Sequence, residues 1–252
     1  MDFTFQTDVG KVRSHNEDSG GVFRNEIGTL AIVADGMGGH RAGDVASAMT
    51  TDYFRGVWER ETKISSVREA EQWLKEHFIH INEKLHSHAN EHDECKGMGT
   101  TLVVALCTSE FVSIAHIGDS RAYVQNEYGF HLKTADHSLV QELVRSGQIS
   151  EEEAEHHPRR NVLLRALGTE LDIKVDVSTL QVEDCQFILL CSDGLTNKIT
   201  AEELQQQLQA DETVEFKAKE LIRLANERGG EDNITVAILS FPQDDSDRSS
   251  VI

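Results

Sequence analysis

The sequence predicts an α+β fold in which two antiparallel sheets pack face to face and pairs of helices cover their outer faces. Strand-like apolar runs follow one another through short polar connections, which favours antiparallel pairing. Helix-like segments lie in pairs between groups of strands and do not alternate regularly with them. The 252 residues suit one shared core. We therefore expect a four-layer αββα arrangement with the two sheets in the centre.

Seven segments carry the apolar and β-branched residues that are typical of strands. In chain order they are Thr29–Ala34, Thr101–Cys107, Val112–Ile117, Arg121–Gln125, Ile173–Leu180, Gln186–Cys191 and Ile234–Ser240. Asn126–Gly129 has the composition of a turn after the fourth of these segments.

The helices are predicted from apolar residues that recur at steps of three and four. Gly43–Glu59 and Ser66–His88 form the first pair, and a capping box over Ser66–Glu69 begins the second helix. A short helix that opens at Thr200 and a longer one over Val214–Arg228 form another pair. Each apolar face is expected to cover a sheet.

The middle of the chain differs in composition from these elements. Ser138–Ser146 is predicted to be a helix that ends at Gly147, and a short acidic helix begins at Ser150 and ends near Pro158. The segment 147–160 is polar and rich in charge, as functional lids often are, so we interpret it as an insertion over the surface.

The composition excludes several classes of protein. The net charge of −20 makes nucleic acid and anionic membranes poor partners. The chain has no apolar stretch of transmembrane length and no signal peptide at its N-terminus. Its four cysteines form no CxxC pair, and three lie in or at the end of strand-like runs. We expect a reduced, cytoplasmic monomer with one domain over residues 1–242 and a solvated tail over 243–252.

Three apolar runs end in an aspartate that a glycine or serine follows, namely Asp35, Asp119 and Asp193. Asp232 stands just before another strand. A carboxylate at the end of a strand projects from a rigid edge, and several such edges together make a site for hard divalent cations. Bound cations would also relieve the repulsion between crowded carboxylates. The pattern therefore predicts a metal site suited to assisted hydrolysis.

An arginine lies near further carboxylates in the segment Arg13–Asp18. Glu17 and Asp18 add acidity beside the predicted metals, while the guanidinium of Arg13 matches a phosphoryl group bidentately. An arginine beside a carboxylate cluster is what metal-dependent phosphoryl chemistry needs.

Six motifs stand in order across nearly the whole chain and carry a family resemblance. They are Arg13–Asp18, Asp35–His40, Gly97–Thr101, Gly118–Arg121, Cys191–Leu195 and Gly230–Thr235. Together they resemble the bacterial form of the metal-dependent Ser/Thr protein phosphatases, the type 2C family. The resemblance implies a β-sandwich flanked by helix pairs and hydrolysis of phosphoserine and phosphothreonine in proteins. It also implies an opposing Ser/Thr kinase, which is an expected partner together with its substrates.

The resemblance further implies ligands for two Mn²⁺ or Mg²⁺ ions. Asp35 would bridge the ions, Asp193 and Asp232 would hold one of them, and the carbonyl of Gly36 would hold the other. Asp119 would join a weaker third site. Oxygen ligands accept both metals, so the choice between Mn²⁺ and Mg²⁺ stays open.

The remaining roles concern the phosphate, the water and the leaving group. The resemblance implies that Arg13 grips the phosphate, that Glu17 and Asp18 act through waters on the metals, and that 147–160 is a mobile flap. Two cations about 3.5–4 Å apart lower the pKa of a bridging water and stabilise both oxygens of an in-line displacement. His40 is the predicted proton donor, because imidazole titrates near neutral pH. Many eukaryotic relatives carry histidine where this chain has Met37, so water is the alternative donor.

Two other functions fit the sequence less well. A pseudophosphatase that binds phosphoproteins would be expected to lose a bridging ligand, whereas Asp35, Asp193 and Asp232 are all present. A cysteine-dependent phosphatase needs an arginine six positions after its cysteine. The residues at those positions are Thr101, Ser113, Cys191 and Asn197.

The other histidines predict no metal centre. Five of them lie in or after one amphipathic helix with no cysteine or acidic partner placed to complete a zinc site, and they are His77, His80, His86, His88 and His92. His116 and His137 flank strand ends, where they are either buried hydrogen-bond donors or supports for site residues.

Overall fold

Strands and helices cluster along the chain as predicted. The structure is a computed structural model and describes residues 1–38 and 42–242. The strands are β1 (Asp2–Asp8), β2 (Asp18–Arg24), β3 (Thr29–Met37), β4 (Gly99–Thr100), β5 (Leu102–Cys107), β6 (Phe111–Ile117), β7 (Arg121–Asn126), β8 (Gly129–Leu132), β9 (Asp176–Gln181), β10 (Phe187–Cys191) and β11 (Ile234–Ser240). The helices are α1 (Ala42–Trp58), α2 (Val67–Glu91), α3 (Leu139–Arg145), α4 (Glu151–Glu155), α5 (Asp193–Thr196), α6 (Ala201–Gln209) and α7 (Val214–Glu227).

The strands form two antiparallel sheets, which confirms the predicted α+β class. One sheet has the order β1-β11-β10-β7-β8, and the other has the order β2-β3-β5-β6-β9 with β4 paired to β3. The first and last strands of the chain are neighbours, because β1 pairs with β11 from Asp2 opposite Ser240 to Asp8 opposite Ile234. Loops from both ends of the sequence therefore meet at the same edge of the sandwich.

The layering follows from strands that are buried on both faces. Alternate residues of a strand point to opposite faces, so Leu30 and Ile32 of β3 pack under α1 and α2. Ala31 and Val33 of the same strand pack against the other sheet. The outer face of the β1-containing sheet is covered by α5, α6 and α7. The four-layer αββα arrangement is thus confirmed. None of the described helices is long and apolar enough to cross a bilayer.

Helix ends agree with their local sequence signals. Thr200 accepts a hydrogen bond from the Glu203 amide, and the Glu203 carboxylate accepts one from the Thr200 amide, so α6 begins with a full capping box. The capping box predicted for α2 forms only in part. Ser66 caps Glu69, but the Glu69 carboxylate accepts from the amide of Ser65 instead of Ser66.

Four strands were not predicted, namely β1, β2, β8 and the two-residue β4, and one predicted strand was placed too early. β1, β2 and β8 lie at sheet edges and have polar or glycine-rich sequences, so pairing with a neighbour and not local propensity defines them. The predicted strand Ile173–Leu180 begins instead at Asp176, where pairing with β6 starts. Neither α4, which lies within the predicted insertion 147–160, nor α3, which precedes it, contains a buried residue.

Candidate active site

The candidate site lies where strand ends of both sheets meet, and it begins with a pair of aspartates. Asp18 and Asp35 are register partners in β2 and β3. Asp18 is buried, and its Oδ2 accepts a 2.7 Å hydrogen bond from Ser192 Oγ. Ser192 in turn accepts a hydrogen bond from the Thr235 amide, which ties β2 to the opposite sheet. This link across the sandwich brings Asp193, the next residue, beside β3.

Two threonines fix the backbone of Asp35. Thr101 Oγ1 accepts a 3.0 Å hydrogen bond from the Asp35 amide, while the Thr101 amide and Thr100 Oγ1 both donate to the Asp35 carbonyl at 2.9 Å. Thr101 Oγ1 also lies 2.7 Å from Ser120 Oγ, next to Asp119. Each polar group of this peptide has a partner, so the Asp35 side chain projects from a rigid support.

Asp193 opens α5, and its carboxyl lies within hydrogen-bond reach of the Asp35 carboxyl. Asn197, one turn later, donates a 3.0 Å hydrogen bond to Asp193 Oδ2. Asp232 lies close enough to raise the pKa of both Asp193 and Asp35. A Cβ added at Gly194, the residue after Asp193, would lie 3.4 Å from the Asp232 Cβ. Asp35, Asp193 and Asp232 thus lie at the same edge of the sandwich, and their roles as ligands stay predictions.

The guanidinium of Arg13 lies beside this cluster of carboxylates. Its Nη2 donates a 2.8 Å hydrogen bond to Asp232 Oδ2, and its Nη1 lies 3.9 Å from Glu17 Oε2. The Arg13 side chain is 47% exposed, so it is accessible to a ligand at the mouth of the site. Its location agrees with the role predicted from sequence, in which a guanidinium lies beside the carboxylates.

Asn233 anchors the loop that carries Arg13 and Glu17, and sequence analysis assigned it no role. Its Oδ1 accepts a 2.7 Å hydrogen bond from the Glu17 amide. Its Nδ2 donates to the carbonyls of Val9 and His15 at 2.9 and 3.0 Å. The only sequence signal for this role was its position after Asp232, inside a motif already noted for the aspartate.

Glu17 and Gly36 meet where β3 approaches α1. The Gly36 amide donates a 3.0 Å hydrogen bond to the Glu17 carbonyl, which also accepts one from Ser47 of α1. A Cβ added at Gly36 would lie only 2.1 Å from the Gly43 carbonyl oxygen. The close approach of two backbones therefore requires glycine at position 36. The Glu17 carboxylate is mostly buried and lies 3.2 Å from His15 Nε2.

Burial and mutual repulsion make the metal-free cluster electrostatically unfavourable. Burial, opposed by hydrogen bonds and reinforced by Asp193 and Asp232, raises the pKa of Asp18 to about 7. Burial and then the charge of Asp193 raise the pKa of Asp119 to about 7. Burial and then Asp18 raise the pKa of Asp35 well above its usual value. Both causes disfavour carboxylate charge, and both weaken when cations bind.

The donor set fits hard divalent cations. All the converging groups are carboxylate oxygens, which are the ligands that Mg²⁺, Ca²⁺ and Mn²⁺ prefer. Within residues 1–38 and 42–242, the buried Oδ1 of Asp18 has no hydrogen-bond partner. A buried carboxylate oxygen without a donor is costly, and a cation or its water would satisfy it.

A second group of metal-type side chains was not predicted as a site. Ligand atoms of His116, His137 and Asp176 lie within 4.8 Å of one another. The two imidazoles are stacked, with centroids 4.7 Å apart and planes 15° apart. Lone pairs of ring nitrogens lie in the ring planes, so two nearly parallel rings do not direct them at one ion. Burial also lowers the pKa of both histidines. The geometry favours a hydrogen-bonded cluster over a shared metal.

His40, the predicted proton donor, lies outside the described residues.

The comparisons with known proteins agree with this geometry. The family profile described as protein phosphatase 2C matches residues 10–234. The serine/threonine phosphatase stp of Listeria monocytogenes is 45% identical over 240 residues, which cover 95% of each chain. The chain belongs to the protein phosphatase 2C family.

Solved structures resemble this chain over almost its whole length. The serine/threonine phosphatase Stp1 from Staphylococcus aureus has a TM-score of 0.91 and 40% identity, covering 96% of this chain and 95% of that one. The catalytic domain of serine threonine protein phosphatase PstP, solved in complex with two manganese ions, has a TM-score of 0.81 and 32% identity, covering 94% of this chain and 96% of that one.

Proposed function

We propose that this chain is a metal-dependent protein phosphatase that hydrolyses phosphoserine and phosphothreonine. The observation that carries the proposal is the convergence of Asp18, Asp35, Asp193 and Asp232 at one edge of the sandwich, with Arg13 beside them. Family membership and the names of the relatives point to the same activity. The metal-binding pseudophosphatase is not favoured, because every expected bridging ligand is retained.

Two divalent cations are proposed to bind this cluster. Asp35 would bridge them, with Asp193 and Asp232 on one and the Gly36 carbonyl on the other, while Asp119 would serve a weaker third ion. Glu17 and Asp18 would hold waters on these ions. When bound, such cations lower the pKa of water and stabilise charge on phosphoryl oxygens. Mn²⁺ is supported by the manganese-bound relative, and Mg²⁺ is the alternative with the same ligand chemistry.

Arg13 is proposed to orient the phosphate. Its guanidinium is paired with Asp232 in the described conformation, and a bound phosphate would compete with that carboxylate for the same N–H groups. A bidentate contact would fix the phosphoryl group against rotation and leave Asp232 free to bind a cation. The leaving alkoxide needs a proton, for which His40 or a water remains the proposed source.

The expected partners follow from this activity. We propose phosphorylated proteins as substrates, together with an opposing Ser/Thr kinase and that kinase's targets, and a monomer that works in the cytoplasm. Residues 1–242 would form one catalytic domain, with a flap near 147–160. The predicted tail over 243–252 lies outside the described residues. The net charge of −20 makes long-range attraction of phosphopeptides unfavourable. Recognition would therefore be local to the phosphate and the residues around it.

The test is hydrolysis of an aryl phosphate and of matched phosphothreonine and phosphotyrosine peptides, with and without Mn²⁺. We expect turnover that requires Mn²⁺, that chelator abolishes, and that favours the phosphothreonine peptide. Folded protein that shows no turnover at any Mn²⁺ or Mg²⁺ concentration would refute the proposal. Equal rates with and without chelator would refute the metal-dependent mechanism but not the activity.

A further inference from the structure

We propose that His137 is a positioning residue that holds the Gly118–Asp119 turn, with Asp176 orienting its imidazole. The inference rests on the proposed role of Asp119 in binding a cation. From sequence, His137 fits either a buried hydrogen-bond donor or a support for site residues, and its contacts with Gly118 and Asp176 favour the support.

His137 and Gly118 form two hydrogen bonds, one donated by each residue. Its amide donates a 2.9 Å hydrogen bond to the Gly118 carbonyl, and the Gly118 amide donates a 3.2 Å hydrogen bond to His137 Nδ1. Both backbone polar groups of Gly118, the residue before Asp119, are therefore engaged by one residue from a different part of the chain. Movement of His137 would move the backbone of Asp119.

The turn has little freedom to adjust by itself. Gly118 has a φ of 103°, and a Cβ there would lie 2.6 Å from the Thr101 side chain. On its other side, Thr101 supports Asp35. The turn is thus packed between the Asp35 support and His137, so the direction of the Asp119 side chain depends on both.

Asp176 selects the imidazole state that this arrangement needs. A backbone N–H can only donate, so His137 Nδ1 must be the acceptor for Gly118, and the ring proton is on Nε2. His137 Nε2 lies 3.2 Å from Asp176 Oδ2, which accepts that proton's hydrogen bond. Arg165 Nη1 lies 3.3 Å from the same Nε2 and 3.8 Å from Asp176 Oδ1, and because it can only donate, its partner in this arrangement is the Asp176 carboxylate. Carboxylates that hold an imidazole in one tautomer and orientation are a recurring device at functional sites.

The same residue also contacts the chain that follows the acidic helix α4. The His137 carbonyl accepts a 2.7 Å hydrogen bond from the Leu164 amide, and Ser138 forms an antiparallel bridge with Leu163. His137 therefore connects the Asp119 turn with the end of the segment that contains α3 and α4. None of these hydrogen bonds of His137 is to Asp35, Asp193 or Asp232.

The primary test is equilibrium Mn²⁺ binding followed by electron paramagnetic resonance of the free ion. We expect His137→Ala to weaken the low-affinity class of Mn²⁺ by about threefold to tenfold, which is the range for loss of one or two ordinary hydrogen bonds. The high-affinity class should stay within about twofold. Asp176→Asn should give a smaller change in the same direction, and His131→Ala, an exposed histidine on β8, is the matched control.

The decisive comparison is a double-mutant cycle with Asp119→Ala. If His137 acts through Asp119, then His137→Ala should cause no further loss of Mn²⁺ in the Asp119→Ala background. An equal loss in both backgrounds, or no loss in either, would overturn the proposal. Thermal unfolding in chelator identifies variants that fail to fold. If His137→Ala fails to fold, Asp176→Asn and His137→Gln provide the same test.

The cycle separates this inference from the proposed function. Phosphatase activity can fail while the Mn²⁺ binding data support the coupling, because binding is measured without substrate. Conversely, turnover of an aryl phosphate with unchanged Mn²⁺ binding in Asp119→Ala would leave the phosphatase intact and refute the role assigned to His137.

Discussion

Asp18 and Asp35 lie directly opposite each other in neighbouring antiparallel strands. Like charges at opposite positions of a sheet are destabilising, and burial makes this pair worse because water cannot screen it. Burial raises the pKa of Asp18 to about 7, so when no cation is present this carboxyl keeps its proton at pH values below about 7. The repulsion between these two residues lowers the stability of the metal-free protein, whereas the proposed cation site needs both carboxylates.

The first prediction concerns Asp35→Asn. Removing one of the opposed charges should stabilise the metal-free protein by about 1 kcal/mol, which corresponds to about 2–4 °C in Tm for a chain of this size. The same change should lower Mn²⁺-dependent turnover by more than about 100-fold, since even residues behind a metal ligand commonly cost 10–100-fold. Calorimetry in chelator and aryl phosphate hydrolysis measure the two effects. A near-normal rate would contradict the bridging role.

The second prediction concerns Arg13→Ala. Loss of a charge-assisted contact costs about 1.5–3 kcal/mol, so KM should rise roughly 10–100-fold. The Mn²⁺ concentration for half-maximal activity should change by less than about twofold, because arginine is not a metal ligand. Arg55→Ala, an exposed ion-pair partner on α1, is the control. An unchanged KM would mean that Arg13 only lines the loop.

The third prediction concerns Asn233→Ala. The substitution removes three hydrogen bonds that hold residues 9–17, leaving the Glu17 amide without its acceptor. We expect a loss of about 2 kcal/mol in stability and an increase in KM, because the loop carries Arg13. Asn90→Ala, at the exposed end of α2, should change neither quantity. If both variants behave alike, Asn233 does not anchor the loop.

The fourth prediction concerns the cysteines. Cys95, Cys107, Cys185 and Cys191 are all free and buried. Burial raises the pKa of the Cys185 and Cys191 thiols to about 12, so almost no thiolate exists at pH 8. Native protein should react with fewer than one equivalent of Ellman's reagent in the time that denatured protein reacts with four. Rapid reaction of the native state would show that these strands open locally.

Sequence periodicity predicted the central strands well because β3, β5 and β11 are buried on both faces and read as continuous apolar runs. It failed at β1, whose pairing partner β11 lies far away in the chain, and at β2, whose glycine-rich sequence has little strand propensity although it pairs with the next strand, β3. Asp35, Asp119 and Asp193 could be selected from the sequence because each follows an apolar run, and their roles as metal ligands stay predictions.

The supporting residues of the site were harder to predict. Asn233, Ser192 and His137 act through hydrogen bonds to backbone or carboxylate atoms that are distant in sequence. No local pattern of residue types encodes such contacts, so only the folded geometry identifies them. The order of the motifs predicted the family. Only the contacts in the folded structure distinguish the carboxylates proposed as ligands from the residues that support them.

The pairing of β1 with β11 has a consequence for synthesis on the ribosome. Arg13 emerges early, yet its carboxylate partner Asp232 lies 219 positions later, and β1 has no neighbour in its sheet until β11 has been made. Contacts of such long range form late in folding. A nascent chain that lacks β11 therefore cannot pair Arg13 with Asp232, and this part of the candidate site forms only after β11 has been made.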